Sequence, residues 1–378
     1  MALGHREETR FQGRTGQRDL QGKRVIRTLS ILFAALFAVG AFYVASQWGS
    51  WGTGRADLPP MALIPGGPEV ALPGRVWIDT DAACGATDRT DPDDCLAILW
   101  LVSRGVDIAG LSTSFGNADS DVVADRVATL MAQMVVGGLL VPPVFRGHGA
   151  PPGPGAKVPL GVTALQAALE AGPLTILALG PLTNVAAALK GRPDLQRNVT
   201  RIVAVMGHQP GHLFHPTEAQ GTGATFGHGP IFRDLNVSVD PEATRAVLAL
   251  PMPMTLIPYD AARATLIIDT DLDSLALQNT PLSWVVQTAR PWLAFWNDDV
   301  GLPGFYPFDW IAAAYLTDPA MFNCTEVSAR MTREWAFWIV PHESLVVETP
   351  SGTEGPAGPV VVYCPETSGL LHDALIAQ

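Results

Sequence analysis

Val76-Trp77-Ile78-Asp79-Thr80-Asp81 is a short apolar run that ends in two carboxylates, and Asp91-Pro92-Asp93-Asp94 follows closely, opening the apolar stretch Cys95 to Val102. The first stretch reads as a strand and the second as the start of a helix, so the acidic groups gather around one strand-to-helix connection. Like charges so crowded repel unless a cation sits among them. Donors that are all oxygen favour a hard ion, Ca²⁺ or Mg²⁺. Helix capping offers a second account, with Asp91 as N-cap, Pro92 at N1, and Asp93 and Asp94 in the first turn. Capping leaves Asp79 and Asp81 unexplained at the carboxyl end of a strand, where open α/β sheets bind ligands. The metal reading is therefore preferred.

Outward from this turn the pattern repeats. Apolar runs (Val76 to Ile78, Ile108 to Phe115, Leu174 to Leu179, Ile202 to Met206, Met254 to Ile257) alternate with Ala/Leu-rich stretches (Val122 to Met134, Leu165 to Ala171, Val185 to Lys190). That alternation predicts an α/β fold with a mostly parallel open sheet and flanking helices. Beyond Glu326 the runs shorten, with strands expected over Ala336 to Val340 and Val360 to Tyr363. No internal repeat and no dinucleotide fingerprint occurs, and Gly221 to Gly227 reads as a loop.

Further motifs stand in order along the chain: Gly116-Asn117, Leu179-Gly180-Pro181-Leu182-Thr183-Asn184-Val185-Ala186, Val203 to Gly207, Asp234-Leu235-Asn236, Asp240-Pro241-Glu242-Ala243, and Asp309. Together with Asp79-Thr80-Asp81 and Asp93-Asp94 they resemble the nucleoside hydrolases, whose amino-terminal signature is Asp-Thr-Asp-Pro-Gly-x-Asp-Asp. The resemblance covers most of residues 73–378. It implies an N-glycosidase that hydrolyses ribonucleosides or related N-ribosides with Ca²⁺ as cofactor. By the same resemblance, Asp79, Asp93, Asp94, Asp309 and the carbonyl of Leu179 are the expected metal ligands. Asp81 is the expected base, taking a proton from water. Asn117, Met206, Asp234 and Asn236 are expected at the substrate. Asn184 reads as a structural cap, and Asn236 and Asp240 also suit turn and cap chemistry.

Two departures from the family pattern matter. Eleven residues, Ala82 to Pro92, separate Asp81 from Asp93 where the family has three, which leaves Asp91 as an alternative to Asp93. At Phe308-Asp309-Trp310 the family reads His-Asp-Pro, so the histidine that helps protonate the leaving base is replaced by Phe308. Substitute acids are sought in the histidine-rich loop from Gly207 to Gly229, which holds His208, His212, His215 and His228. Trp292, Trp296 and Trp310 offer faces for stacking on a base or, equally, apolar bulk for the core.

The amino terminus is organised differently. Thr28 to Gln47 is uncharged and mostly apolar, the length a membrane helix requires. Arg6, Arg10, Arg14, Arg18, Lys23, Arg24 and Arg27 precede it against Glu7, Glu8 and Asp19. The positive-inside rule then predicts a cytoplasmic tail (1–27), a single-pass anchor (28–47), a Pro/Gly-rich linker (48–72) and an extracytoplasmic domain (73–378). A signal peptide cleaved near Val44-Ala45-Ser46 is the alternative. With a formal charge of −12 overall, and a more negative balance outside the basic tail, nucleic-acid binding is not expected. A homo-oligomer is compatible with the sequence. The even cysteine count outside the membrane suggests disulfides, paired as Cys84 with Cys95 and Cys324 with Cys364.

Two other classes fit parts of the pattern. A phosphatase of the haloacid dehalogenase type also places Asp-x-Asp at a strand end, but Ala83 occupies its Thr/Val position and Lys157 and Lys190 are the only lysines after the anchor. A membrane-tethered, non-enzymatic module that binds Ca²⁺ or a sugar would account for Phe308, but not for the retained carboxylates.

Overall fold

The computed structural model describes residues 27–41, 61–65, 74–209, 234–336, 340–349 and 358–377. The chain divides into two units, Met1–Leu58 and Pro59–Gln378. In the first, residues 27–41 form a helix, α1, whose side chains are all exposed. Among the described residues no helix is long and apolar enough to cross a membrane. Residues 42–47 of the expected span lie outside the described residues, as does the basic tail up to residue 26.

In the second unit the described residues form the strands β1 (Ile64–Pro65), β2 (Arg75–Thr80), β3 (Asp107–Thr113), β4 (Val144–Arg146), β5 (Leu174–Ala178), β6 (Val199–Ala204), β7 (Met254–Leu256), β8 (Ile267–Ile268), β9 (Gly304–Phe305), β10 (Phe322–Ala336), β11 (Val340–Glu348) and β12 (Val360–Thr367). Its helices are α2 (Asp93–Ser103), α3 (Ser120–Val136), α4 (Leu160–Glu170), α5 (Thr183–Leu189), α6 (Pro193–Gln196), α7 (Leu235–Val239), α8 (Pro241–Leu248), α9 (Asp269–Ala276), α10 (Thr280–Phe295), α11 (Phe308–Thr317) and α12 (Leu370–Ile376). The main sheet runs β1-β10-β12-β7-β6-β5-β2-β3-β4, with β11 on β10. From β12 to β4 every pairing is parallel, whereas β1, β10 and β11 join antiparallel. The mostly parallel sheet expected from the apolar alternation is therefore present.

Of the run Ala336 to Val340 expected as a strand, residues 337–339 lie outside the described residues; β10 ends at Ala336 and β11 starts at Val340, and these two residues pair antiparallel. Part of the expected linker also joins the sheet, since Ile64 pairs with Cys324 along β10.

Burial explains why β2 is so apolar. Val76 and Ile78 enter the core beneath α2, α3, α10 and α11, while Trp77 enters the opposite core beneath α4, α5 and α8. Successive side chains of a strand point to opposite faces, so a parallel strand covered on both sides needs apolar residues throughout. The same alternation separates the residues that follow, placing Asp79 on the α5 side and Thr80 on the α2 side. Trp292, Trp296 and Trp310 are 5%, 0% and 0% exposed, which makes them core residues rather than faces open to a base.

Candidate active site

The expected residues lie at the carboxyl ends of β2, β3, β5 and β6, where a parallel sheet opens toward ligands. Asp79, Asp81, Asp93, Asp94 and Asp309 are all buried, none more than 6% exposed. Solvated capping residues would not be so enclosed. Helix α2 begins at Asp93, one position later than the capping account requires, with Pro92 at the N-cap and no side-chain cap. Asp91 accepts a hydrogen bond from the Asp93 amide at 3.2 Å, the local bond of a capping residue.

Three carboxylates converge. Oxygens of Asp93, Asp94 and Asp309 all lie within 4.8 Å of one another. Asp93 organises the junction by accepting from the Asp94 amide (3.0 Å) and the Asp309 amide (2.8 Å), which ties the start of α2 to the start of α11. The Thr80 hydroxyl donates to Asp94, as the strand alternation dictates. Asn117, on the loop after β3, bridges the cluster to Asp81. Its side-chain amide donates to Asp94 at 3.1 Å and to Asp81 at 3.4 Å, and its backbone amide donates to Asp81 at 2.9 Å.

Asp79 stands outside that group of three. One of its oxygens accepts from the Ser112 hydroxyl and, at 2.8 Å, from the Asn184 side-chain amide, both on the α5 side of the sheet. Its other oxygen is buried and has no hydrogen-bond partner. Asn184 is thus no helix cap. It braces Asp79 and the carbonyl of Thr113, while its own oxygen accepts from the His148 amide. Thr80, Ser112 and Asn184 were not assigned to the site from sequence. Extending the alternation of β2 through Asp79 and Thr80 is the signal that would have found two of these contacts.

Asp81 fits between two glycines. A methyl group at Gly180 would sit 3.1 Å from its carboxyl carbon, and one at Gly116 would collide with its oxygen. Gly116 also has φ +148°, a conformation side-chain-bearing residues rarely adopt. Beyond β5, the Asn236 amide donates to the carbonyls of Leu179 (2.7 Å) and Val205 (3.0 Å), orienting the Leu179 oxygen expected as a ligand. Met206, next along the chain from Val205, is buried. Asp234 uses both oxygens on backbone, accepting from Gly207 at 2.7 Å and from Val237 at 3.1 Å as the N-cap of α7. Asp240 likewise caps α8 through the Ala243 amide and accepts from the Thr183 hydroxyl.

Both expected cysteine pairings are disulfides. Cys84–Cys95 closes the segment between the two halves of the acidic motif. Arg89 on that segment lies 4.9 Å over the Phe295 ring and pairs with Asp299. Of the histidine-rich loop, His208 is described. It is buried, with its ring 6.4 Å from that of Tyr259. His212, His215 and His228 lie outside the described residues. Phe308 is partly exposed, 6.0 Å from the Tyr306 ring and immediately before Asp309.

Burial dominates the electrostatics. It pushes the Asp79 carboxyl up to about 6 against the pull of Ser112 and Asn184, and the Asp94 carboxyl up to about 7, with the neighbouring Asp93 charge adding to the effect. Asp81 and Asp309 rise well above the usual range, first from burial and then from the surrounding carboxylates. Such a donor set, all oxygen and short of compensating charge, fits a hard divalent cation. A pH dependence follows. Carboxylates with raised folded-state pKa hold protons that the unfolded chain has released, so metal-free protein loses stability as pH rises from about 4 through 6 and 7. In a chelator the melting temperature should be several degrees higher at pH 5 than at pH 8, and excess Ca²⁺ should restore the loss at pH 8. A chelated protein equally stable at both would show that these carboxylates are not buried together.

Known proteins agree with this architecture. The profile of the family described as "Inosine-uridine preferring nucleoside hydrolase" matches residues 76–337. The pyrimidine-specific ribonucleoside hydrolase RihA of Photobacterium profundum is 27% identical over 263 residues, 61% of this chain and 79% of the relative. Its namesake from Escherichia coli O9:H4 is 26% identical over 260 residues, 62% and 79% of the two chains. Among solved structures, the plant nucleoside hydrolase PpNRh1 superposes with a TM-score of 0.64 at 16% identity, covering 80% of this chain and 98% of its own. A purine-preferring ribonucleoside hydrolase from Gardnerella vaginalis gives 0.62 at 17%, covering 80% and 96%. These structural likenesses show the fold, and the profile match over more than half the sequence shows the lineage. The chain belongs to the inosine-uridine preferring nucleoside hydrolase family.

Proposed function

We propose that the protein is a Ca²⁺-dependent N-glycosidase that hydrolyses ribonucleosides, with Asp81 as the base. The observation that carries this reading is the buried convergence of Asp93, Asp94 and Asp309 beside an Asp81 held by Asn117. Asp94, Asp309, Asp93 and the Leu179 carbonyl would hold the cation, with Asp79 behind them as a buried negative charge braced by Ser112 and Asn184. When bound, the ion supplies charge neutralisation and a Lewis-acidic contact for sugar and water oxygens.

The side chains do the rest. Cleavage of an N-ribosidic bond passes through an oxocarbenium-like sugar, which calls for a nucleophile on one face and relief of charge at the departing base on the other. Asp81 accepts the proton of the attacking water. Burial raises its basicity, and its two bonds from Asn117 fix its plane. Gly116 and Gly180 leave the gap in which it stands. Asn117, Asn236 and Met206 line the sugar side. Asp234 is bonded through both oxygens to backbone, so in this reading it positions Gly207 and α7, one methylene short of the reach that the family's Glu provides.

The expected anchor is part of the same proposal. The uncharged run from Thr28, the basic tail before it and the helix over 27–41 support a membrane tether, and the two disulfides support an extracytoplasmic domain. Protease added to intact cells should then release a fragment beginning near residue 50.

Incubation with a nucleoside panel, with and without chelator, tests the activity. Release of free ribose that chelator abolishes is the expected result, and no release from any riboside would refute the proposal. Because Phe308 stands where the family has its acid, leaving-group quality should govern the rate. p-Nitrophenyl riboside should turn over at least ~10²-fold faster than inosine, and Phe308→His should narrow the gap. Equal rates would mean that another group already supplies the proton.

A further inference from the structure

The connection from Asp81 to Asp93 is eleven residues long, Ala82 to Pro92, and the Cys84–Cys95 bridge lies across it. Along the backbone, twelve residues stand between Asp81 and Asp94. Through the bridge there are four: Ala82, Ala83, Cys84 and Cys95. The short Asp-Pro-Gly-x-Asp-Asp turn of the family also sets four residues between the matching carboxylates. All four residues of the bridged path are buried, as are Asp93 and Asp94 beside it. The bypassed part of the connection is engaged elsewhere. Gly85, at φ +69°, lies so close to α10 that a Cβ there would meet the Thr288 side chain at 2.6 Å. The Thr87 and Thr90 hydroxyls share a hydrogen bond at 2.8 Å, and Arg89 reaches Phe295 and Asp299.

A long loop leaves its ends freer than a tight turn does, and a crosslink near those ends removes the freedom. Asp93 and Asp94 lie inside the crosslinked ring, Asp94 directly beside Cys95, in the first turn of a helix with no side-chain cap. Asp93 accepts from the Asp309 amide and Asp94 from Thr80 and Asn117, so a shift of this turn would carry both carboxylates away from Asp309 and Asp81. We propose, resting on the cation site inferred above, that the Cys84–Cys95 bridge is a positioning element of that site, a crosslink in place of the tight turn that sets the Asp93 and Asp94 carboxylates for the ion. The bridge acts through these residues and contacts neither ion nor substrate. The other bridge, Cys324–Cys364, joins β10 to β12 and encloses none of the clustered carboxylates, which makes it an internal control.

Calorimetric titration of the full-length protein with Ca²⁺ tests this on the parent, Cys84→Ala/Cys95→Ala, Cys324→Ala/Cys364→Ala and Arg89→Ala. The first pair should weaken Ca²⁺ binding by roughly 10- to 100-fold while circular dichroism shows the fold retained. The second pair should lower the melting temperature but keep Ca²⁺ affinity within roughly 3-fold of the parent. Arg89→Ala should also stay within roughly 3-fold, because its ion pair is solvent-exposed and the loop it serves is bypassed. A second route avoids substitution at the bridge. In the Cys324→Ala/Cys364→Ala protein dithiothreitol can open only Cys84–Cys95, giving two thiols as the reagent closes to its cyclic disulfide. Alkylation and mass spectrometry then report the opened fraction, in which the same loss of affinity is expected. Unchanged Ca²⁺ affinity with the bridge absent or open would overturn the proposal. So would an equal loss in Arg89→Ala, which would assign the positioning to the loop contacts on α10. Unfolding by both routes would overturn it as well, since the bridge would then hold the domain rather than the site. Absence of Ca²⁺ binding in the parent would instead remove the cation site itself.

Discussion

Asp81→Asn should lower turnover by at least ~10²-fold while ribose binding persists, since the amide keeps the shape of the side chain but cannot accept a proton. The structure sharpens this expectation. Asp81 accepts two hydrogen bonds from Asn117, and an amide could keep at most the bond to its remaining oxygen. Some loss of order at Asn117 should therefore accompany the chemical defect, visible as a modest rise in KM. Single-turnover measurement of ribose release at saturating substrate checks the larger effect, and near-normal turnover would remove Asp81 from the mechanism.

Asp309→Ala should weaken Ca²⁺ binding by at least ~10²-fold, read by calorimetry. The same substitution removes a carboxylate that burial first, and the neighbouring carboxylates second, make costly to ionise, so the metal-free variant should be no less stable than the parent at pH 8. The Asp309 backbone amide that holds Asp93 is retained, which keeps the junction of α2 and α11 in place. Undiminished Ca²⁺ affinity in this variant would place the ion elsewhere.

Much of the architecture can be read from residue order. The alternation of apolar runs with Ala/Leu-rich stretches locates β2, β3, β5, β6 and β7, because a parallel strand covered on both faces is apolar throughout. The acidic motif and Asp309 do meet, although they are far apart in sequence. The division of labour within the motif is not visible from composition. Asp79 and Asp81 look equivalent on paper, yet the pleat turns Asp79 toward Ser112 and Asn184, while Asp81 passes the strand end and meets Asn117. Asn184 and Asp234 make bonds that their local sequence does not announce. The first reads as a cap and braces a carboxylate instead, and the second, expected at the substrate, also accepts from two backbone amides. In each case a partner comes from another strand or loop, and local sequence is silent about it.

The bond from the Asp309 amide to Asp93 spans 216 positions of the chain, and that separation has a consequence in time. At ordinary rates of synthesis, roughly 10 to 40 s elapse between the emergence of Asp93 from the ribosome and that of Asp309. During that interval Asp79, Asp81, Asp93 and Asp94 exist without the residue that closes their cluster. The nascent amino-terminal half must keep these groups hydrated or protonated rather than buried and charged. Final closure of the sheet over its carboxylates therefore waits for α11, and a chain that stalls before residue 309 would be left with an open, acidic, half-built centre.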